Sequence, residues 1–232
     1  MTDPRMDPYE AIAYGRFTAA QINTLLLGLD HELDGTLRLM AGRVAAASDA
    51  LEAALLRAGV PELYLHRAPE GEPDPVLAAR ETLRALVHYA EACRDGFMIA
   101  SRLLQGESLS TAVRRTPMKL LLRLEHALEA IEKMKHMMPE HASWSSRVEQ
   151  TRAALETFDA EVHAGRSERR SMTADVAGAW NAWQRTYASA KHVVLGSLAG
   201  IDKVPLIREV FDDLADESPS RLSQLPQVPS TY

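Results

Sequence analysis

The sequence predicts an all-α protein, an elongated bundle of about five long amphipathic helices with one or two short ones, packed in the manner of a coiled coil. Three observations carry this. Ala, Leu, Arg and Glu dominate while strand formers are scarce and aromatics make up 6% of the chain, a balance that favours helix because these side chains lose little rotamer freedom there. Apolar residues recur at three- and four-residue spacing over long stretches. Prolines fall mostly between those stretches, where helices start or stop.

Asp7-Pro8-Tyr9-Glu10 reads as a helix start, with Asp7 as cap, Pro8 in the first turn and Glu10 completing the box. The pattern that follows runs to Gly59-Val60-Pro61, with a stripe of Ile22, Leu26, Leu29, Leu33, Met40, Val44, Ala47, Leu51 and Leu55. About 50 residues at ~1.5 Å each would span ~75 Å, so this is either one unusually long helix or one broken near Gly15. The linker at 66–75 ends in Asp74-Pro75, a second cap and first-turn proline. A second helix carries Ala79, Leu83, Leu86, Ala90, Cys93, Phe97, Ala100 and Leu104 on its buried face and stops at Gly106.

Residues 107–115 hold one or two helical turns. Thr116-Pro117 opens a third helix with Leu121, Leu124, Leu128, Ile131 and Met138 on one face, ended by Pro139. Ser143 caps a fourth, marked by Val148, Thr151, Leu155, Phe158 and Val162 and ended by Gly165. The fifth, from about Glu168 to Ala199, presents Val176, Trp180, Trp183, Tyr187, Ala190, Val194 and Leu198 and stops at Gly200. A short sixth follows Val204-Pro205. A lone N-terminal helix cannot bury its own stripe, so residues 1–215 read as a single bundle and 216–232 as a flexible tail.

A formal charge of −6 and a pI near 5.8 speak against broad capture of nucleic acid or anionic lipid. No window approaches the apolar length of a membrane-spanning helix. The single Cys93 allows no disulfide within the chain, and the acidic, proline-bearing residues 1–9 do not resemble a secretory signal. A cytoplasmic protein is expected, and the Arg- and Ala-rich composition points to a bacterial source.

Chemistry-bearing patterns are few. None of the eight histidines has a Glu three residues before it and no His pair is four apart, so the helical di-iron and zincin patterns are absent and no cofactor is indicated. The densest ligand cluster is Met134, His136 and His141, where thioether and imidazole would suit a soft ion such as Cu(I). A helix C-terminus that attracts Lys and His through its dipole, with Met filling the core, accounts for the same residues. Asp212 and Asp213 read as solvated surface rather than as a catalytic pair.

Arg185 and His192, separated by six residues, lie two turns apart on one helix face. That spacing resembles the Arg-x4-6-His signature of the HEPN ribonucleases, helical bundles that cleave RNA without metal at a dimer interface. The resemblance rests on two residues, and Thr186 departs from the polar residue that often follows the family's arginine. It implies that Arg185 steadies phosphate charge and His192 handles protons.

Gly28, Gly35 and Gly42 recur every seven residues, and since each glycine destabilises a helix by ~1 kcal/mol relative to Ala, close helix packing would compensate, within the chain or with a second copy. Trp180, Trp183 and Tyr187 form an aromatic stripe that reads as core, or if exposed as an interface anchor. The expected function is therefore non-enzymatic: a helical interaction or scaffolding protein that self-associates and binds a protein partner. Ribonuclease action or soft-metal binding are the alternatives.

Overall fold

Asp7 starts the first helix as its position requires, its Oδ1 accepting the Glu10 N–H at 2.8 Å in the computed structural model, which describes residues 6–68, 71–168 and 173–214. Helix α1 (Pro8–Gln21) runs into a π-helical turn (Ile22–Leu26) and then stops. Gly28 takes φ +86°, a left-handed conformation open to glycine, and Asp30 caps α2 (His31–Arg57) through the Glu32 N–H. The long N-terminal pattern is thus two helices that pack on each other. Its break lies at 27–30 and not at Gly15, which sits inside α1.

The second expected helix also divides. Helix α3 (Pro75–Ala92), capped by Asp74 at both Val76 N and Leu77 N, ends where Asp95 takes φ +62°, and α4 (Gly96–Leu104) begins with a new phase. That phase buries Ile99, Ala100, Leu103 and Leu104 and turns Phe97 out to 90% exposure, although a continuous helix would have buried it. The expected number of long helices is therefore too low. Helix α5 (Leu109–Ala112) is a single turn, and α6 (Pro117–Lys133) ends six residues before Pro139 in a run of turns.

Helix α7 (His141–Glu168) starts two residues before Ser143, with Trp144 N–H already bonded to the Glu140 carbonyl. It also continues through Gly165, where the absent Cβ leaves room for the Tyr64 ring. Helix α8 (Ala174–Gly200) follows the predicted stripe closely, burying Val176, Trp183, Tyr187, Ala190, Val194 and Leu198. A 3-10 turn (Val204–Leu206), α9 (Ile207–Val210) and a second 3-10 turn (Asp212–Leu214) end the described chain, and the expected tail at 216–232 lies outside the described residues. The described residues contain helices packed on one another and no strand, and none of their helices is long and apolar enough to cross a membrane.

The chain divides into two compact units, Met1–Ala58 with Met172–Tyr232, and Gly59–Ser171. The divisions fall outside the 66–75 linker because α2 finds its partner in α8, from the other end of the chain. In the first unit α1, α2 and α8 share a core that includes Ile22, Leu26, Leu51 and Trp183. In the second, α3, α4, α6 and α7 enclose Leu83, Leu86, Ile99, Leu103, Leu120, Leu124 and Leu155. Arg115, almost fully buried, enters this unit paired to Glu107 at 2.7 Å, and Glu107 also holds Arg123 at 2.5 Å.

Gly15 is required where α1 crosses the first core. A Cβ there would overlap the Ser48 hydroxyl and come within 2.9 Å of Trp183 Nε1. Gly178 on α8 meets nothing within 4 Å. Gly15→Ala is therefore expected to destabilise the protein by about 1–3 kcal/mol through overpacking. Gly178→Ala is expected to stabilise it by about 0.5–1 kcal/mol through helix propensity. Urea denaturation of the two variants against wild type measures both signs.

Candidate functional site

The buried face of α2 comprises Leu37, Met40, Ala41, Val44, Ser48, Leu51, Ala54 and Leu55. The opposite face carries Gly35, Leu39, Gly42 and Ala46, all exposed, with Leu39 at 52%. At 100° per residue these four positions fall within an arc of about 60°. A Cβ added at Gly35 or Gly42 would meet nothing within 4 Å. Among the described residues the close packing that their spacing suggested is not present, and a second helix could approach this face closely. Gly28 does not belong to the stripe, because it lies in the turn before α2. Arg38 and Arg43, both exposed, flank the face.

The aromatic residues of α8 lie elsewhere. Trp180, Trp183 and Tyr187 form a stack with centroid spacings of 5.4 and 4.5 Å, and Phe211 meets Tyr187 edge-on at 5.5 Å. Trp183 and Tyr187 are fully buried and Trp180 is half-buried, so the first two are core of the first unit and not available to a partner. Trp183 Nε1 donates to Ser48 Oγ at 3.0 Å, and that hydroxyl donates to the Val44 carbonyl.

Asp212 and Asp213 reverse the sequence expectation, since neither side chain is solvated. Asp213 accepts from Tyr187 Oη at 2.8 Å and pairs with the Lys191 ammonium, which also lies 5.1 Å from the centre of the Tyr187 ring. Burial, with the neighbouring Asp213 charge, pushes the Tyr187 phenol well above its ordinary range, so it stays a donor. Thr18 Oγ1 donates to the Val210 carbonyl at 3.1 Å and Gln21 Nε2 to the Glu209 carbonyl at 2.9 Å. These bonds hold residues 204–214 against α1 and α8. The sequence had one sign of this, an acidic pair directly after the apolar Val210-Phe211.

A second polar cluster sits in the other unit. Asp159 on α7 is buried between two imidazoles, with His66 Nε2 at 2.8 Å from Oδ1 and His163 Nε2 at 3.3 Å from Oδ2. Arg166 donates through Nε and Nη2 to the Tyr64 carbonyl at 2.8 and 2.6 Å and through Nη2 to His66 Nδ1 at 3.2 Å. Burial alone would raise the Asp159 carboxyl, but the bond from His66 and the charges of His163 and Arg166 outweigh it and hold it below its ordinary value. The spacing of Asp159, His163 and Arg166 on one helix face was legible in the sequence; their partner His66 was not.

The remaining candidates are scattered. Met134 lies in the core of its unit and His136 is exposed, while His141 Nδ1 donates to the Met138 carbonyl at 3.1 Å. Among the described residues no group of three or more His, Cys, Asp or Glu side chains could hold a metal ion. Arg185 and His192 are both exposed on α8, and His192 Nδ1 carries its proton toward the Ala188 carbonyl at 2.8 Å. Cys93 is half-buried just past the end of α3. Comparison of the chain with protein-family models, with characterised proteins and with solved structures found no match.

Removing one partner of a buried pair leaves the other charged and unpaired. Lys191→Met is expected to destabilise the protein by about 3–5 kcal/mol, and adding Asp213→Leu to recover only part of that loss, because the Tyr187 phenol then lacks its Asp213 acceptor. Urea midpoints of the two variants and wild type decide it, and a Lys191→Met loss below about 1 kcal/mol would show that the pair is not what holds 204–214.

Proposed function

We propose that the protein is a non-enzymatic helical interaction module that pairs with a second copy of itself through the outward face of α2 and presents the assembled surface to a protein partner. The observation that carries this is the stripe of Gly35, Leu39, Gly42 and Ala46. It combines two glycines that destabilise a helix with a half-exposed leucine, and no described residue covers them. Glycine at this spacing lets a second backbone approach, and Leu39 supplies apolar area to bury between the copies. Phe97 and Met98 on α4, 90% and 43% exposed, offer a further apolar contact to a partner. A cytoplasmic, bacterial setting belongs to the same proposal, for which the single cysteine and the Arg- and Ala-rich composition speak.

A second reading, metal-independent RNA cleavage, has in its favour that Arg185 and His192 are both exposed on one helix seven residues apart. It requires that Arg185→Ala and His192→Ala each lose cleavage of single-stranded RNA in chelator.

Light scattering coupled to size-exclusion chromatography tests the main reading. Wild type is expected to show a mass above 25.6 kDa that rises with concentration. Gly42→Arg and Leu39→Ser are expected to run at the monomer mass with unchanged helical circular dichroism. A wild-type chain that stays monomeric at every concentration, or variants that assemble as wild type does, would contradict the proposal.

A further inference from the structure

The segment 60–68 lies against α7 through a set of contacts that demand one protonation state of His66. Arg166 has donors and no acceptor, so its Nη2, 3.2 Å from His66 Nδ1, requires a lone pair on that nitrogen. The ring proton therefore sits on Nε2, which donates to Asp159 Oδ1 at 2.8 Å. His66 is fixed as the neutral Nε2–H tautomer. A second proton would place an N–H and a positive charge directly against the guanidinium.

The same guanidinium makes two bonds to the Tyr64 carbonyl, and the Tyr64 ring occupies the notch left by Gly165. Losing the His66 contact thus disturbs the anchor of the whole segment. His66 itself is held at φ +55°, in the left-handed region that an L residue adopts at some strain, so its contacts also maintain an unfavourable backbone. Its ring meets Phe158 edge-on at 6.2 Å, and it shields that side chain.

We propose that residues 60–68 form an acid-released latch, in which protonation of His66 breaks its contact with Arg166 and frees the segment from α7, uncovering Phe158 and the Gly165 notch. The titratable and charged groups that face the imidazole are Asp159, His163 and Arg166, all on α7. Burial lowers the proton affinity of His66, the hydrogen bond and charge of Asp159 oppose this, and Arg166 and His163 reinforce it, with a net shift below 6.5. The released segment therefore binds a proton more readily than the docked one. The latch is at full strength above about pH 6.5 and weakens as pH falls through the lowered value. Asp159, held below 3.8, keeps its charge through that window, so the switch belongs to the imidazole.

Amide hydrogen exchange of the full chain, read by mass spectrometry at pH 7.5 and 5.0 and corrected for intrinsic rates, tests the proposal. Protection of residues 60–68 is expected to fall at the lower pH while α3 and α6 keep theirs. His66→Gln, whose amide can accept from Arg166 and donate to Asp159 without titrating, is expected to show no such fall. His163→Gln is expected to retain it. Wild-type protection that does not change with pH, or a loss shared by the whole unit, would overturn the latch. So would an acid response that survives in His66→Gln or disappears in His163→Gln.

Discussion

The pairing of α2 with α8 is the constraint on which the first unit depends. An amphipathic helix is stable in water when its apolar stripe is covered, and the stripe of α2 from Leu37 to Leu55 is too long for α1 alone. The cover comes from α8, whose buried residues follow the same spacing from Val176 to Leu198. Closing so long a loop carries an entropic cost that grows slowly with its length, so a non-local pair of long helices is thermodynamically tolerable. What fixes their register is more specific than apolar area. Trp183 lies under the glycine at position 15 with its indole N–H on Ser48, a contact that joins α1, α2 and α8 at one point.

Both buried polar clusters solve one physical problem. Residues 204–214 and 60–68 contain only short helical turns, which are too short to be held by their own hydrogen bonds. Directional bonds hold them instead. Lys191, Tyr187, Thr18 and Gln21 secure the first, and Asp159 and Arg166 secure the second. In each case a buried carboxylate receives two donors from separate positions, so its desolvation is offset by charge and hydrogen bonds together. The difference between them is chemical. The first rests on an ammonium and on a phenol that burial holds as a donor, the second on an imidazole that must lack a proton on the nitrogen facing Arg166.

The class and the long helices were legible in the sequence because helical periodicity is local information. The α8 stripe, the Asp7 and Asp74 caps and the buried leucines of α3 and α6 all follow from spacing alone. The breaks at 27–30 and 93–95 were not. Neither contains proline, and the second turns on Asp95, a residue that adopts the left-handed conformation without announcing it as glycine would. Phe97 was placed on the wrong face for that reason alone. Gly165 misled in the opposite direction, reading as a stop when it is a notch for Tyr64. The polar clusters were illegible because their members lie far apart in the chain, 93 residues between His66 and Asp159 and 22 between Lys191 and Asp213. The candidate face on α2 was half legible: Gly35 and Gly42 were marked by their heptad spacing, but their exposure and the company of Leu39 required the fold.

The claim beneath all of this is that the chain's two ends build one unit with each other, leaving the middle with a core of its own. Expressing residues 59–171 as a separate fragment and following its helical circular dichroism through thermal and urea denaturation tests that claim most directly. A helical fragment that melts in one cooperative transition, with matching midpoints by ellipticity and by Trp144 fluorescence, is the result the account predicts. A fragment with little helix, or one that loses it gradually without a transition, would contradict it by showing that the middle depends on the paired ends to fold.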